Sequence, residues 1–294
     1  MIVSYLVCLF LLIQSDNKEQ EPTIDLSVGC KECHFSGAID CKNHGSLFES
    51  EKNIDYCSFA AQCKDCLGSM LKDCKHCESG PKRLERLRRI GKVERFMNEK
   101  TDAEKLLEQS LPRLITPHFD ICITAKKMKN GSKNVNTHEL MHLMAQECEK
   151  AAEIFNSHFE AKSYHYSGRS RLWYWNSEET HKEICINILG SNGGADLKLY
   201  GANPALSSFS NGRGLENKAL NVVRNSVHVA AHLMLSSVHG PQWIGNKKAG
   251  WFDVGAAHWY ELKLFSRTAT YCIEEGNSGV DYEGGMWHTA VKKY

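Results

Sequence analysis

Thiol and imidazole side chains are the conspicuous chemical groups of this 294-residue chain, which carries 13 Cys and 14 His. Eight of the cysteines, Cys30, Cys33, Cys41, Cys57, Cys63, Cys66, Cys74 and Cys77, fall between positions 30 and 77. Two stretches align without a gap: Cys30-Lys31-Glu32-Cys33, seven residues, Cys41-Lys42-Asn43-His44; and Cys63-Lys64-Asp65-Cys66, seven residues, Cys74-Lys75-His76-Cys77. Lys31/Lys64, Asp40/Asp73 and Lys42/Lys75 recur at the same 33-residue offset, so the segment is an internal duplication. In each copy a seven-residue loop is long enough to fold the second pair of donors onto the first, giving the four soft ligands of a structural zinc ion. The expected ligands are Cys30, Cys33, Cys41 and His44 in one copy and Cys63, Cys66, Cys74 and Cys77 in the other. A disulfide framework is the alternative for a cysteine-dense exported chain. Cys57 stands outside the repeat, as a replacement for His44 or the partner of a distant thiol.

Two histidine pairs lie downstream. His138-Glu139-Leu140-Met141-His142 matches H-E-x-x-H, in which two histidines one helical turn apart bind zinc and Glu139 is the general base. The apolar series Met141, Met144, Cys148, Ala152, Phe155 carries one helix straight on, however. The next carboxylate of suitable spacing, Glu160, lies about 27 Å beyond His142 at about 1.5 Å per residue. An amphipathic helix with His138 at its edge is therefore the expectation. The second pair, His228 and His232, sits in the apolar run 220–236, followed by Trp243 and by Trp251-Phe252-Asp253-Val254-Gly255-Ala256-Ala257-His258-Trp259-Tyr260-Glu261.

This second arrangement resembles the gluzincin metallopeptidases, where H-E-x-x-H is followed some twenty residues later by a W-x-x-E-G-x-A-x-[YW] helix that supplies a glutamate ligand. His228 and His232 match the ligand histidines, and Trp251, Gly255, Ala257 and Trp259 match the second helix. The resemblance spans about 112–267 and implies an α+β domain with a metal held by His228 and His232. Val229 stands at the position of the general base and Val254 at that of the glutamate ligand. Asp253 or His258 is then the stand-in third ligand, and Glu261 the one unexpected base. A lost base removes about 10² to 10⁴ in rate, so the resemblance implies a domain without peptidase activity. The cysteine repeat is similar to the zinc domain of DnaJ chaperones, which implies zinc binding and peptide or partner contact. The combination is similar to uncharacterised secreted bacterial proteins of planctomycete type.

The elements that must position these groups read as follows. The fold class is α+β: a small tandem zinc-knuckle module, a helical connector and a gluzincin-like domain. The expected boundaries are 1–15 for a signal peptide or anchor, 16–29 for a linker, 30–79 for the cysteine module, 80–111 for the connector and 112–294 for the domain. The apolar run before Gln14 is too short to span a bilayer comfortably and reads as an export signal. The protein is thus expected outside the cytoplasm, membrane-bound only if that segment stays uncleaved. The connector repeats Leu84, Leu87, Ile90, Val93 and Phe96 at three-residue steps, as one helix or as two broken near Thr101-Asp102. A strand over 119–125, a helix over 137–155, a strand over 171–175, a helix starting at Ser177, loops over 190–194 and 203–214, and helices over 220–236, 251–267 and 285–294 complete the reading. The net charge of +1, with 24% charged residues, gives no reason to expect nucleic acid. No phosphate loop, dinucleotide fingerprint or serine elbow is present. The sum is an exported zinc protein with two structural ions, and a third ion left open at His228, His232 and Asp253. Its expected work is binding a protein or peptide, with an active zinc hydrolase or a DnaJ-like peptide binder as alternatives.

Overall fold

A computed structural model describes residues 30–34, 36–44, 54–125, 127–212, 214–239, 250–270 and 282–283. The expected export segment and linker up to 29, Trp243, Cys272 and the helix over 285–294 lie outside the described residues. Among those described, no helix is long and apolar enough to cross a membrane.

The chain is α+β. Its strands are β1 (Ala38–Asp40), β2 (Tyr56–Cys57), β3 (Leu71–Asp73), β4 (Arg113–Ile115), β5 (Phe119–Ile123), β6 (Lys127–Asn130), β7 (Lys133–Asn136), β8 (Ser170–Trp175), β9 (Asp196–Leu199), β10 (Ala205–Phe209), β11 (Arg267–Thr268) and β12 (Tyr282–Glu283). The helices are α1 (Ser58–Ala61), α2 (Pro81–Asn98), α3 (Asp102–Leu106), α4 (Thr137–Phe159), α5 (Glu178–Asn187), α6 (Ala219–His239) and α7 (Gly250–Phe265). Six strands form one sheet in the order β2-β4-β5-β8-β10-β9. β5, β8 and β10 run parallel, and β2, β4 and β9 are antiparallel to their neighbours.

Side-chain alternation decides which face of the sheet each helix covers. Phe119, Ile121 and Ile123 of β5, Leu172 and Tyr174 of β8 and Leu206 of β10 join a core with α4, α6 and α7. The intervening residues Cys122, Trp173, Trp175 and Ala205 join a second core with α3 and α5. Strand β8 is buried on both faces, which is why Arg171-Leu-Trp-Tyr-Trp reads as a nearly continuous apolar run. Tyr174 anchors the helix that carries the second histidine pair: its hydroxyl lies 3.0 Å from Asn225 Nδ2 and from Ser226 Oγ, both on α6.

The helix starts follow their capping residues. Asn136 accepts from the Glu139 N–H at the head of α4, Ser177 from Thr180 at the head of α5, and Thr101 with Glu104 closes a capping box that breaks the connector into α2 and α3. One expectation is corrected. The polar stretch 203–214 contains β10, a buried strand whose serines are satisfied. Ser207 accepts from Trp175 Nε1 at 2.8 Å and lies 2.9 Å from His181 Nδ1, while Ser208 donates to the Ala195 carbonyl. The connector does not bury its whole leucine series. Leu84 and Leu87 are 61% and 54% exposed, and Arg86 is buried instead, donating from Nε to the Leu71 carbonyl of β3 and pairing with Asp73 at 3.2 Å.

β2 falls between the two copies of the cysteine repeat, yet it is the edge strand of the main sheet, paired with β4 through Tyr56↔Ile115 and Cys57↔Leu114. The cysteine segment is thus stitched into the sheet at its midpoint.

Candidate metal centres

Each C-x2-C pair is wrapped by a tight turn that aims both thiols inward. The Cys30 carbonyl accepts from His34 N–H and the Cys63 carbonyl from Leu67 N–H, both at 2.8 Å; the Cys33 and Cys66 carbonyls accept from Ser36 and Ser69 at 2.9 Å. The turns are alike in backbone as well as in sequence. His34 and Leu67, equivalent in the repeats, have φ of 48° and 49°, and Gly37 and Met70 have φ of 79° and 64°. Gly37 is required on two counts: its left-handed φ, and a Cβ there would lie 2.4 Å from the Ser79 carbonyl oxygen.

The donors gather in two groups of four, and the grouping crosses the copies. Cys30 and Cys33 meet Cys74 and Cys77; Cys41 and His44 meet Cys63 and Cys66. The expectation of one site inside each copy is corrected on this point. The physical reason is the strand pair β1–β3, which runs antiparallel in the register Ala38↔Asp73, Ile39↔Lys72, Asp40↔Leu71 and so brings the end of each copy to the start of the other. One group carries four thiols, the other three and an imidazole.

Donor separations suit a tetrahedral zinc ion. Bond lengths of about 2.3 Å to sulfur and about 2.05 Å to nitrogen put S···S near about 3.8 Å and S···N near about 3.6 Å. Cys30 Sγ lies 3.5 Å from Cys74 Sγ; His44 Nδ1 lies 3.5 Å from Cys66 Sγ and 3.9 Å from Cys41 Sγ. None of the described cysteines is disulfide-bonded, and a sulfur separation of 3.5 Å is far beyond a disulfide bond of about 2.05 Å. Like-charge crowding divides the four-thiol group. Burial opposes ionisation of Cys33, but the Gly37 N–H and the neighbouring thiols bring its pKa down to about 7. Cys77 is pushed up to about 12, chiefly by Cys33. A dication relieves that conflict, because all four sulfurs can then be thiolates.

The second histidine pair is assembled by α6 against α7. Asn225 and Ser226, tied to Tyr174, fix the rotation of α6, so His228 and His232 face α7 one turn apart. His228 is 1% exposed and His232 is fully buried. His228 Nδ1 lies 3.4 Å from Glu261 Oε2, and His258 Nδ1 lies 3.8 Å from the same oxygen. His228, His258 and Glu261 form a metal-competent group. An N···O separation of about 3.4 Å is what two ligands on one tetrahedral zinc give. His232 and Asp253 take other places. Asp253 Oδ2 is 2.7 Å from His232 Nδ1, which leaves His232 Nε2 facing His228 Nε2 at 3.2 Å. Asp253 therefore orients His232, and the carboxylate beside His228 is Glu261.

Electrostatics fix the protonation states here. Burial lowers the His228 pKa to about 3 and drives His232 well below the ordinary histidine value, so both imidazoles are neutral. Burial raises Asp253 to about 6. Burial acts the same way on Glu261, but the His228 and His258 imidazoles beside its Oε2, helped by the Ala269 N–H, outweigh it and bring the carboxyl down to about 2. Glu261 is fully buried and also accepts from the Ala269 N–H at 2.7 Å and the Thr270 N–H at 3.2 Å. It is a fixed anion. Val229 and Val254 are buried, at 1% and 9% exposure, and bring no carboxylate to the site.

The first histidine pair, His138 and His142, lies at the N-terminal end of α4 with their Nε2 atoms 2.9 Å apart, and Cys57 Sγ is 3.7 Å from His142 Nε2. Burial opposes ionisation of Cys57, but hydrogen bonds from His138 and His142 overcome it and bring the thiol to about 6. Glu139 is exposed. Nothing in the spacing of the chain points to Cys57 as the partner of this pair, 85 residues before His142. His258 and Glu261 were visible as an i, i+3 pair on an apolar helix.

No family model, curated protein or solved structure matches this chain.

Proposed function

We propose that the protein is an exported zinc protein that holds two structural ions in its cysteine module and a further ion between α6 and α7, and that works by binding a protein or peptide without cleaving it. The observation that carries this reading is the state of Glu261. The triad contains one carboxylate, and both its position beside His228 and His258 and its backbone hydrogen bonds commit it to ligation. A general base needs an oxygen free to take a proton from water, and Glu261 is fully buried with its oxygens turned to His228, His258 and the Ala269 and Thr270 N–H groups. Val229, at the position of the base in the resemblance to gluzincins, offers no carboxylate, which supports a domain that binds without cleaving.

A binding role is supported by a cavity between α4 and α7. Phe159, Phe252, Ala256, Trp259 and Tyr260 line this cavity of about 320 Å³ together with His158, and Trp259 is 42% exposed. Aromatic groups around such a cavity suit an apolar side chain of a bound segment. The apolar N-terminal run, read from sequence as an export signal, supports a site of action outside the cytoplasm.

The test is metal analysis paired with a peptide-library digest. Zinc that falls by one equivalent in His228→Ala, with no cleavage in either protein, supports the reading. Cleavage abolished both by a chelator and by His228→Ala overturns it in favour of an active zinc hydrolase.

A further inference from the structure

Three further donors converge where the cysteine segment meets the sheet and α4. Cys57, His138 and His142 place one sulfur and two nitrogens within 4.8 Å of one another. The chain holds them there for separate reasons. Cys57 is fixed by its β2 pairing with Leu114. The Asn136 cap sets the start of α4, so that His138 and His142 share one face. The His138 ring stacks on Phe59 of α1 at 4.8 Å and 26°.

Their separations are those of ligands on one ion. With bonds of about 2.3 Å to sulfur and 2.05 Å to nitrogen, a tetrahedral zinc sets S···N near about 3.6 Å and N···N near about 3.3 Å. The observed values are 3.7 Å for Cys57 Sγ to His142 Nε2 and 2.9 Å between the two Nε2 atoms. Cys57 is fully buried and His142 5% exposed.

The cluster also differs from the two cysteine-rich groups in number. Those gather four protein donors each, whereas this one gathers three among the described residues. Structural zinc sites are closed by four protein ligands, and sites that bind an exogenous group keep one position open. His138 lines a cavity of about 800 Å³ whose walls join Phe59, Leu111 and Pro112 to Thr124, Asn136 and Asn176. Hydroxyl and amide groups of that kind suit a polar, oxygen-bearing ligand.

We propose that Cys57, His138 and His142 hold an additional zinc ion whose fourth position opens at His138 onto this cavity and takes water or a small oxygen ligand such as a carboxylate or hydroxamate. The H-E-x-x-H segment acquires its third ligand from the cysteine segment upstream, where no spacing rule would look for it. His44, a ligand of the three-thiol group, lies 5.9 Å from His138 ring to ring, so the two ions are close neighbours.

Cadmium-113 NMR of the full-length protein, reconstituted with ¹¹³Cd²⁺, separates sites by their number of thiolates. The expected result is a one-thiolate resonance that disappears in Cys57→Ser with the loss of one bound ion, while the four-thiolate and three-thiolate resonances remain. Acetohydroxamate shifts the one-thiolate resonance and leaves the thiolate-rich pair unmoved. His138→Gln, at the half-buried ligand, gives the same loss of one ion and stands in if Cys57→Ser fails to fold. An unchanged ion count in the folded variants overturns the site, as does stoichiometric alkylation of Cys57 by iodoacetamide in the zinc-loaded protein. A resonance indifferent to acetohydroxamate overturns the open position. His228→Ala leaves the one-thiolate resonance in place, so failure of the α6–α7 site is told apart from failure of this one.

Discussion

Replacing Cys30 by Ser tests the crossed grouping of the cysteine module in a way that ion counting alone cannot. In this fold the change removes a ligand from the group completed by Cys33, Cys74 and Cys77, so those three thiols are released while Cys41, Cys63 and Cys66 stay protected. Were each copy to close its own site, the released thiols would be Cys33 and Cys41, with Cys74 and Cys77 untouched. Alkylation of the native variant followed by peptide mass mapping reads the difference directly. The crossing also has an energetic size. Cys30 and Cys74 are 44 residues apart, four times the separation of Cys30 and Cys41. Loop-closure entropy grows by about 0.6 kcal/mol for each doubling, so the crossed closure constrains the unfolded chain by about 1.2 kcal/mol more than closure inside one copy. Losing the site also forfeits a share of the roughly 10 to 16 kcal/mol that a structural zinc contributes to a small module, and β1–β3 should melt with it. Rapid labelling of Cys41 with Cys74 protected would refute the crossed arrangement.

Three other outcomes are expected. Gly37→Ala should destabilise the module by about 1–3 kcal/mol through left-handed backbone strain, plus the clash with Ser79. Gly91→Ala, in α2 where an added Cβ meets nothing within 4 Å, should stabilise by up to about 1 kcal/mol; denaturant titrations of the two give opposite signs, and equal signs would refute the account. Glu261→Gln should cost one bound metal ion without changing the thiolate-rich sites, measured by metal analysis. His181 supplies the pH test. Burial lowers its pKa below the ordinary 6.5, so its contribution to stability is complete above about pH 6.5 and is lost as pH falls through the folded value, because the unfolded state protonates first. His181 Nδ1 faces Ser207 Oγ, which accepts from Trp175, and Nε2 donates to the Gly194 carbonyl. The difference in unfolding free energy between wild type and His181→Asn should therefore shrink between pH 7 and 5, and a difference that stays constant would refute the assignment.

Much of the frame was legible in the chain because periodicity and capping are local. The strand at Ser170–Trp175, the Ser177 and Thr101 helix starts and the apolar helix around His228 all follow from residues within a turn of one another. The eight module ligands were legible as types, since C-x2-C and C-x2-H spacing is itself the signature. Their partners were not, because the grouping is set by β1 pairing with β3, a contact between strands whose short sequences AID and LKD carry little pattern. β10 was hidden for a different reason: Ala-Leu-Ser-Ser-Phe looks like a loop until Trp175 and His181 are present to satisfy Ser207. At α7, the choice among Asp253, His258 and Glu261 depends on the rotation of one helix against another, and spacing along the chain does not encode that.

The register of β1 on β3 has a consequence for how the module is put together. Ile39 faces Lys72, and these two residues occupy the same place in the two copies. Antiparallel pairing about equivalent residues is the arrangement of a two-fold axis, so the module is in effect a symmetric dimer written into one polypeptide. A single copy owns half of each metal site and can close neither, which makes pairing of the halves a condition of metal binding. Fusion has let the halves diverge: His44 stands where its counterpart is Cys77, so one group holds four thiols and the other three thiols and an imidazole. It has also turned the joint between the halves into a fastener, since the joining segment carries β2 and through it pins the pseudo-dimer to the edge of the main sheet.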